Sequence, residues 1–254
     1  MKNNSIILFS LKMSFMLALT LCACTHNDEP QLPDTPETGQ PDTPGTSIIT
    51  YGDPTVWSGD TARFEQRFYY GGYSLFALND HEAGSTYISA PSTALRGAQW
   101  DFRFQLNGKE PTPTTRARVY LSSNQSDLSN SLQGYFLALG ISNATLTGDP
   151  EGQYLALCRQ NGLPNDTAII FDCHSELLLA AYTMLRLRVC CDEQGKWELF
   201  ANLEGQPTLS LWGSGTDTTY THSSHLGFFC TYSRSRSQNY AFGDLKVEVP
   251  SASQ

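Results

Sequence analysis

Three short runs of this sequence put arginine on one side of an alternating pattern. Asp101, Arg103 and Gln105 share one set of alternate positions, Arg116, Arg118 and Tyr120 a second, and Arg186 and Arg188 a third. A guanidinium is a planar fork of N–H donors that meets a carboxylate or sulfate bidentately, and a neighbouring tyrosine ring can stack on a sugar. If the three runs are strands of one sheet, Arg103, Arg118, Tyr120, Arg186 and Arg188 form one ligand-binding patch on a chain of formal net charge −9. The competing arrangement pairs the arginines across strands with Asp101, Glu198 or their neighbours.

Other chemistries find less support. The acidic clusters Asp80/Glu82, Asp149/Glu151, Asp172/Glu176 and Asp192/Glu193 mostly flank turn residues, where solvated loop charges are expected. His222-x-x-His225 lacks the Glu of a metalloprotease helix, and adjacent Cys190 and Cys191 fall on opposite faces of a strand. There is no nucleophile elbow, phosphate loop or dinucleotide fingerprint. The sequence therefore assigns no catalytic residue, no metal ligand and no cofactor. Of the four tryptophans, Trp100 and Trp197 alternate with the core side of their runs, leaving Trp57 and Trp212 as the freer sugar platforms.

The elements that must position these residues are strands. Trp100, Phe102, Phe104 and Leu106 alternate with polar residues, as do Ala117, Val119 and Leu121, and again Leu185, Leu187, Val189 and Cys191. Further strand runs are 73–78, 134–140, 154–159, 168–173, 197–202, 226–232 and 240–249, with turn chemistry at Asn107-Gly108, Asp149-Pro150, Asn161-Gly162 and Asp192 to Gly195. About ten short strands separated by such turns predict an all-β, two-sheet antiparallel sandwich. Only Ser175–Tyr182, rich in Leu and Ala, reads as a helical turn. Five cysteines fall in this region, Cys158, Cys173, Cys190, Cys191 and Cys230, each inside an apolar run, which predicts buried thiols. Cys158 and Cys173 are the exception considered, since a hairpin across Pro164 would bring their strands together.

The N-terminal segment has a different character. Lys2 precedes an apolar stretch that is cleanest from Met13 to Leu21, too short for the about 20 residues a membrane span needs. Leu21-Cys22-Ala23-Cys24 resembles a bacterial lipobox, so residues 1–23 are expected to be a cleaved signal and Cys24 to carry a lipid. Residues 24–46 then form a Pro-rich linker with Pro-Asp-Thr-Pro at 33–36 and 41–44, a composition that stays extended. The sandwich is expected to occupy residues 47–250, followed by a tail at 251–254. Lys2 and Lys12 leave with the signal, so 14 of the 16 basic residues face all 25 acidic ones. That balance argues against a nucleic-acid partner.

Several landmarks together resemble the concanavalin A-like (laminin-G-like) jelly-roll modules of Bacteroidota surface lipoproteins, of the kind found ahead of lamin-tail domains. They are Trp57-Ser-Gly-Asp60, Arg118-Val-Tyr-Leu-Ser122, Gly134-Tyr-Phe-Leu-Ala-Leu-Gly140, Gly195-Lys-Trp197, Leu226-Gly227, Thr231-Tyr-Ser-Arg-Ser-Arg236 and Phe242-Gly-Asp-Leu245. The last departs from the Phe-Asp-Asp-Ile more often seen there. Asp28 and Glu29, soon after Cys24, resemble the acidic export tag of such lipoproteins. The resemblance implies a concanavalin A-like jelly roll, anchored to the outer membrane through Cys24 and facing outward. It also implies a non-catalytic module for glycan or a surface protein. Members of this fold that cleave β-glucans carry Glu-x-Asp-x-Glu or Glu-x-Asp-x-x-Glu on one strand, which this sequence lacks. The alternatives are a glycoside-active enzyme using carboxylates from distant strands, or a structural subunit of an envelope assembly.

Overall fold

A computed structural model describes residues 46–250, apart from 70–71, 110, 113, 143–152 and 175–182. The signal, Cys24, the linker up to residue 45, the Asp149-Pro150 turn, the Ser175–Tyr182 turn, Asp149, Glu151 and Glu176, and the tail lie outside the described residues.

The alternating runs form strands because one face of each is apolar and must be covered. In chain order, β1 (Thr46–Thr50), β2 (Ser58–Gly59), β3 (Phe64–Tyr69), β4 (Tyr73–Leu78) and β5 (Gly84–Pro91) come first. They are followed by β6 (Gln99–Leu106), β7 (Arg116–Ser123), β8 (Leu132–Ser142), β9 (Gln153–Gly162) and β10 (Thr167–His174). The chain ends in β11 (Met184–Cys191), β12 (Lys196–Leu203), β13 (Ser210–Thr216), β14 (His225–Tyr232) and β15 (Tyr240–Pro250). The strands make an eight-stranded sheet, β13-β12-β11-β6-β15-β4-β3 with β1 also on β15, and a seven-stranded sheet, β10-β9-β8-β7-β14-β5-β2. Every strand pair is antiparallel. This is the all-β, two-sheet antiparallel sandwich expected from the alternation and the jelly roll that the resemblance implies. The sequence left β1, β2, β3, β5 and β13 unread.

Between the sheets lies an aromatic core. Trp100 and Trp197 stack with ring centroids 5.8 Å apart, and Tyr135 from the seven-stranded sheet lies 4.7 Å from Trp197. Phe228 stacks on Phe242 across the sandwich at 4.6 Å, and Trp57 stacks on Phe228 at 5.2 Å. Trp57 is buried in this core, its Nε1 donating to the Tyr51 carbonyl at 3.1 Å. It is no exposed sugar platform, and Trp212 is half-buried against the same core.

All five cysteines of the sandwich are free thiols. Cys158 and Cys173 sit on neighbouring strands and on opposite faces: Cys173 belongs to the core, Cys158 to a second apolar cluster on the outer side of the seven-stranded sheet. The hairpin considered for them forms, and its pleat separates the two sulfurs. Burial pushes the thiols of Cys158 and Cys173 up to about 12, and those of Cys190 and Cys191 to about 11. Each therefore stays protonated at neutral pH, the inert state of a structural cysteine.

Candidate functional site

The outer face of the eight-stranded sheet collects most of the polar alternation. β6 contributes Gln99, Asp101, Arg103 and Gln105, and β11 contributes Arg186, Arg188 and Cys190, while their alternate partners are buried. The register sets Arg188 directly opposite Asp101, and Arg186 opposite Arg103. The first pair is favourable: Arg188 Nε donates to Asp101 Oδ1 at 2.7 Å, and Gln99 Nε2 donates to Oδ2 at 2.8 Å. That hydrogen bond holds Arg188 above its usual range, against the pull of desolvation. The second pair sets like charges side by side, which destabilises a sheet unless they diverge. They do: Arg103 turns to Glu204, with Nε 3.0 Å from Oε2, and to Asp244. Arg186 reaches the Gln206 carbonyl at 3.2 Å and has no carboxylate partner among the described residues.

Asp244 owes its position to an irregularity in β15. Gly243 pairs with Arg103 but Lys246 pairs with Asp101, so β15 carries one extra residue there, a β-bulge. The bulge turns Asp244 to φ +48°, the only described non-glycine residue with positive φ. A left-handed backbone costs a residue with a Cβ about 1–2 kcal/mol, and such strain concentrates at functional positions. Gly243 suits the same bulge for a different reason: a Cβ there would sit 2.4 Å from the Ser74 carbonyl oxygen.

The result is a groove of about 280 Å³ whose polar walls are Asp101, Arg103, Arg186, Arg188, Asp244, Lys246 and Glu248. A second hollow of about 490 Å³ shares Arg186, Arg188 and Leu209 with it and extends to Glu198, Phe200 and Thr208 on the β12–β13 side. Guanidinium and carboxylate groups both line the floor, so donors and acceptors both face the space. A ligand rich in hydroxyls can satisfy both.

The five-residue patch read from the sequence does not exist as one site. Arg103, Arg186 and Arg188 share the groove, but Arg118 and Tyr120 lie on the seven-stranded sheet, because β7 pairs with β8 and β14 instead of β6. Alternation fixes which face a residue takes and says nothing of which sheet its strand joins. Arg118 is buried, donating to the Tyr120 hydroxyl at 3.1 Å and to Gln160 Oε1 at 3.3 Å. The expected pairing of arginines with acids is seen at Asp101, while Glu198 is instead bridged by Lys196 at 2.6 Å.

Two acidic positions also depart from the solvated-loop expectation. Asp80 accepts from Tyr232 at 2.7 Å and from Arg63 at 2.9 Å, and Tyr232 is the first cause of its depressed pKa. Asp217 is likewise half-buried and held by Arg159 and Tyr135. Asp192 behaves as a turn cap, accepting from the Gln194 and Lys196 backbone N–H groups at 2.9 and 2.8 Å. Sequence reasoning missed Asp244, Lys246 and Leu209. A signal for the first was present: Phe242 and Leu245 are apolar with two residues between them, which breaks a period of two and marks a bulge.

Known proteins agree on the fold. No protein-family model matches the chain, and no curated protein matches it. Solved structures do. The exoplasmic/lumenal domain of VIP36 with Ca2+ and mannose bound aligns at a TM-score of 0.56 and 10% identity, over 78% of this chain and 84% of that one. The Emp47p carbohydrate recognition domain aligns at 0.53 and 10% identity, over 80% and 92%. A legume lectin-like domain from Entamoeba histolytica aligns at 0.51 and 12% identity, over 80% and 97%. The chain thus has a legume-lectin-like, concanavalin A-like sandwich fold. Among the described residues no three His, Cys, Asp or Glu side chains come together as a metal site.

Proposed function

We propose that this chain is a non-catalytic glycan-binding module, and that the groove over β6, β11 and β15 is its binding site. The observation that carries the reading is the groove itself, in which the left-handed Asp244 joins guanidinium and carboxylate groups on an outer sheet face. The fold supports it, since similar structures are those of VIP36 with mannose and of carbohydrate recognition domains. A glycosidase needs one carboxyl free to donate a proton across from a second. Here Asp101 and Asp244 are both held by arginines, which leaves Glu248 without a second free carboxyl among the described residues lining the groove, an arrangement suited to binding.

The test is a glycan array of the soluble sandwich, followed by titration of the best ligand with wild type and Arg186→Ala. Arg186 is the variant of choice because removing it breaks no ion pair. Loss of a hydrogen bond from a charged group costs about 1.5–3 kcal/mol, so affinity should fall at least about tenfold with an unchanged melting temperature. Equal affinity of the two proteins would remove the groove from the reading. Reducing-sugar release from any array hit would replace a binding module with an enzyme.

In this reading the module stands on the Pro-rich stalk of residues 24–46, held to the outer membrane by a lipid on Cys24 and facing the medium, as in the Bacteroidota lipoproteins it resembles. At about 3.1 Å per residue the stalk reaches several tens of Å. Metabolic labelling with a fatty-acid analogue checks the anchor. Cys24→Ala should abolish the label, whereas Cys22→Ala should keep it.

A further inference from the structure

The outer face of the seven-stranded sheet holds charge that no ion pair among the described residues balances. Arg118 is 5% exposed, yet every group it bonds is neutral. Nη1 donates to the Tyr120 hydroxyl and Gln160 Oε1, Nη2 donates to the Pro164 carbonyl at 2.9 Å, and the guanidinium lies 4.6 Å over the Phe136 ring. Two positions earlier on the same strand face, Arg116 is partly buried and has neither ion pair nor hydrogen bond among the described residues. Desolvation first, and then the Arg118 charge, pull Arg116 below its usual range. Two like charges are thus drawn out of water together, which disfavours the charged form of each.

No carboxylate of this face pairs with them among the described residues. The row through Arg118 runs to Ala138, Ala156 and then Asp172, three strands away and in no ion pair with either arginine. In the other direction the row runs to Phe229 and Tyr87. The acids nearest Tyr87 are committed elsewhere: Asp60 accepts from Thr86 at 2.9 Å, and Asp127 from Ser129 and Asn130.

We propose that Arg116 and Arg118 form an oxyanion site, where a bound carboxylate or sulfate group supplies the missing negative charge. Arg116 is the open fork, with none of its N–H groups committed among the described residues. Arg118 is the fixed one, held in place by Tyr120, Gln160 and Pro164. The site lies on the sheet opposite the groove and does not depend on it. Its ligand is an oxyanion, free or carried on an acidic saccharide.

Melting temperatures of wild type, Arg116→Gln and Arg67→Gln should be compared in sodium sulfate and in sodium chloride at matched ionic strength. Sulfate at about ten times its Kd should raise the wild-type melting temperature by roughly 3 °C or more over chloride. Arg67→Gln should respond like wild type, because Arg67 lies on β3 at the edge of the other sheet and outside the groove. Arg116→Gln should lose most of the response, and should melt no lower than wild type without sulfate because it relieves a like-charge pair. Calorimetric titration with galacturonate and neutral galactose trimers then identifies the source. Galacturonate binding at least about tenfold tighter than sulfate assigns the anion to a saccharide, and equal affinity assigns it to a free ion. The same sulfate response in wild type and Arg116→Gln, or an Arg116→Gln protein that melts lower without sulfate, would overturn the proposal.

Discussion

Replacing Asp217 by Ala should lower stability by about 3 kcal/mol, or about 6–12 °C in melting temperature for a domain of this size. Its carboxylate ties the two sheets together at one end. Oδ1 accepts from Tyr135 of β8 at 2.7 Å and from the Thr219 backbone at 2.8 Å, while Oδ2 pairs with Arg159 of β9. The Asp217 carbonyl accepts from Arg96 at 3.2 Å and Trp197 at 3.4 Å, so the loop after β13 is gripped from both layers. Removing the carboxylate leaves Arg159 partly buried with its strongest partner gone. Arg159 keeps some solvent contact, which puts the cost near the lower end of that for breaking buried pairs.

The effect should also depend on pH. Burial alone would raise the Asp217 pKa, but hydrogen bonds from Thr219 and Tyr135 and the Arg159 charge outweigh it, leaving the group below its ordinary 3.8. A depressed folded-state pKa contributes stability that is complete above the unfolded-state pKa and lost as pH falls through the folded value. The stability gap between wild type and Asp217→Asn should therefore hold from pH 7 to about pH 5 and close below about pH 4. Chemical denaturation at several pH values measures it. A gap of constant size down to pH 2.5 would mean the carboxylate charge has no part in holding the sheets. Asp53, Asp80 and Asp127 are depressed too and will lower the stability of both proteins in acid, so the difference between the two is the informative quantity.

The sandwich was legible because strand alternation is a local property, and the alternating runs on β6, β7 and β11 put their apolar residues inward as read. The unread strands lack that local pattern. β13 is Ser-Leu-Trp-Gly-Ser-Gly-Thr, with two glycines, and β5 reads as mixed Ser, Thr and Ala with no clean period. The binding face was only half legible. Arg103, Arg186 and Arg188 fell together because β6 and β11 pair, while Arg118 went to the other sheet because partner choice is decided by residues far away in sequence. Trp57 shows the same limit. It stands in a polar, turn-like stretch, and only the approach of Phe228 and Phe76 from distant strands buries it.

Gly227→Ala should give no folded protein, although it adds a single methyl group. Gly227 sits in the middle of β14, paired on one side with Ser89 of β5 and on the other with Tyr120 of β7. A Cβ at this position would lie 2.2 Å from the Ile88 carbonyl oxygen, 2.8 Å from Leu128 Cδ1 and 2.9 Å from Ser89 Cα. A leucine tip can swing aside, but the other two atoms are main chain in the neighbouring strand, and moving them opens the β5–β14 ladder. Strained insertions into a packed core cost about 1–3 kcal/mol where side chains can yield. Here the backbone must yield, next to the Phe228 stack that joins the two sheets. The loss should exceed that range and consume much of the about 5–15 kcal/mol that holds a domain together. Gly52→Ala is the matched control, since a Cβ there meets nothing within 4 Å. It should fold normally, and by restricting the unfolded chain gain up to about 1 kcal/mol. Soluble yield and circular dichroism separate the two variants. A Gly227→Ala protein that melts within a few degrees of wild type would mean that β5 and β14 can part without cost, contrary to the close approach of their backbones.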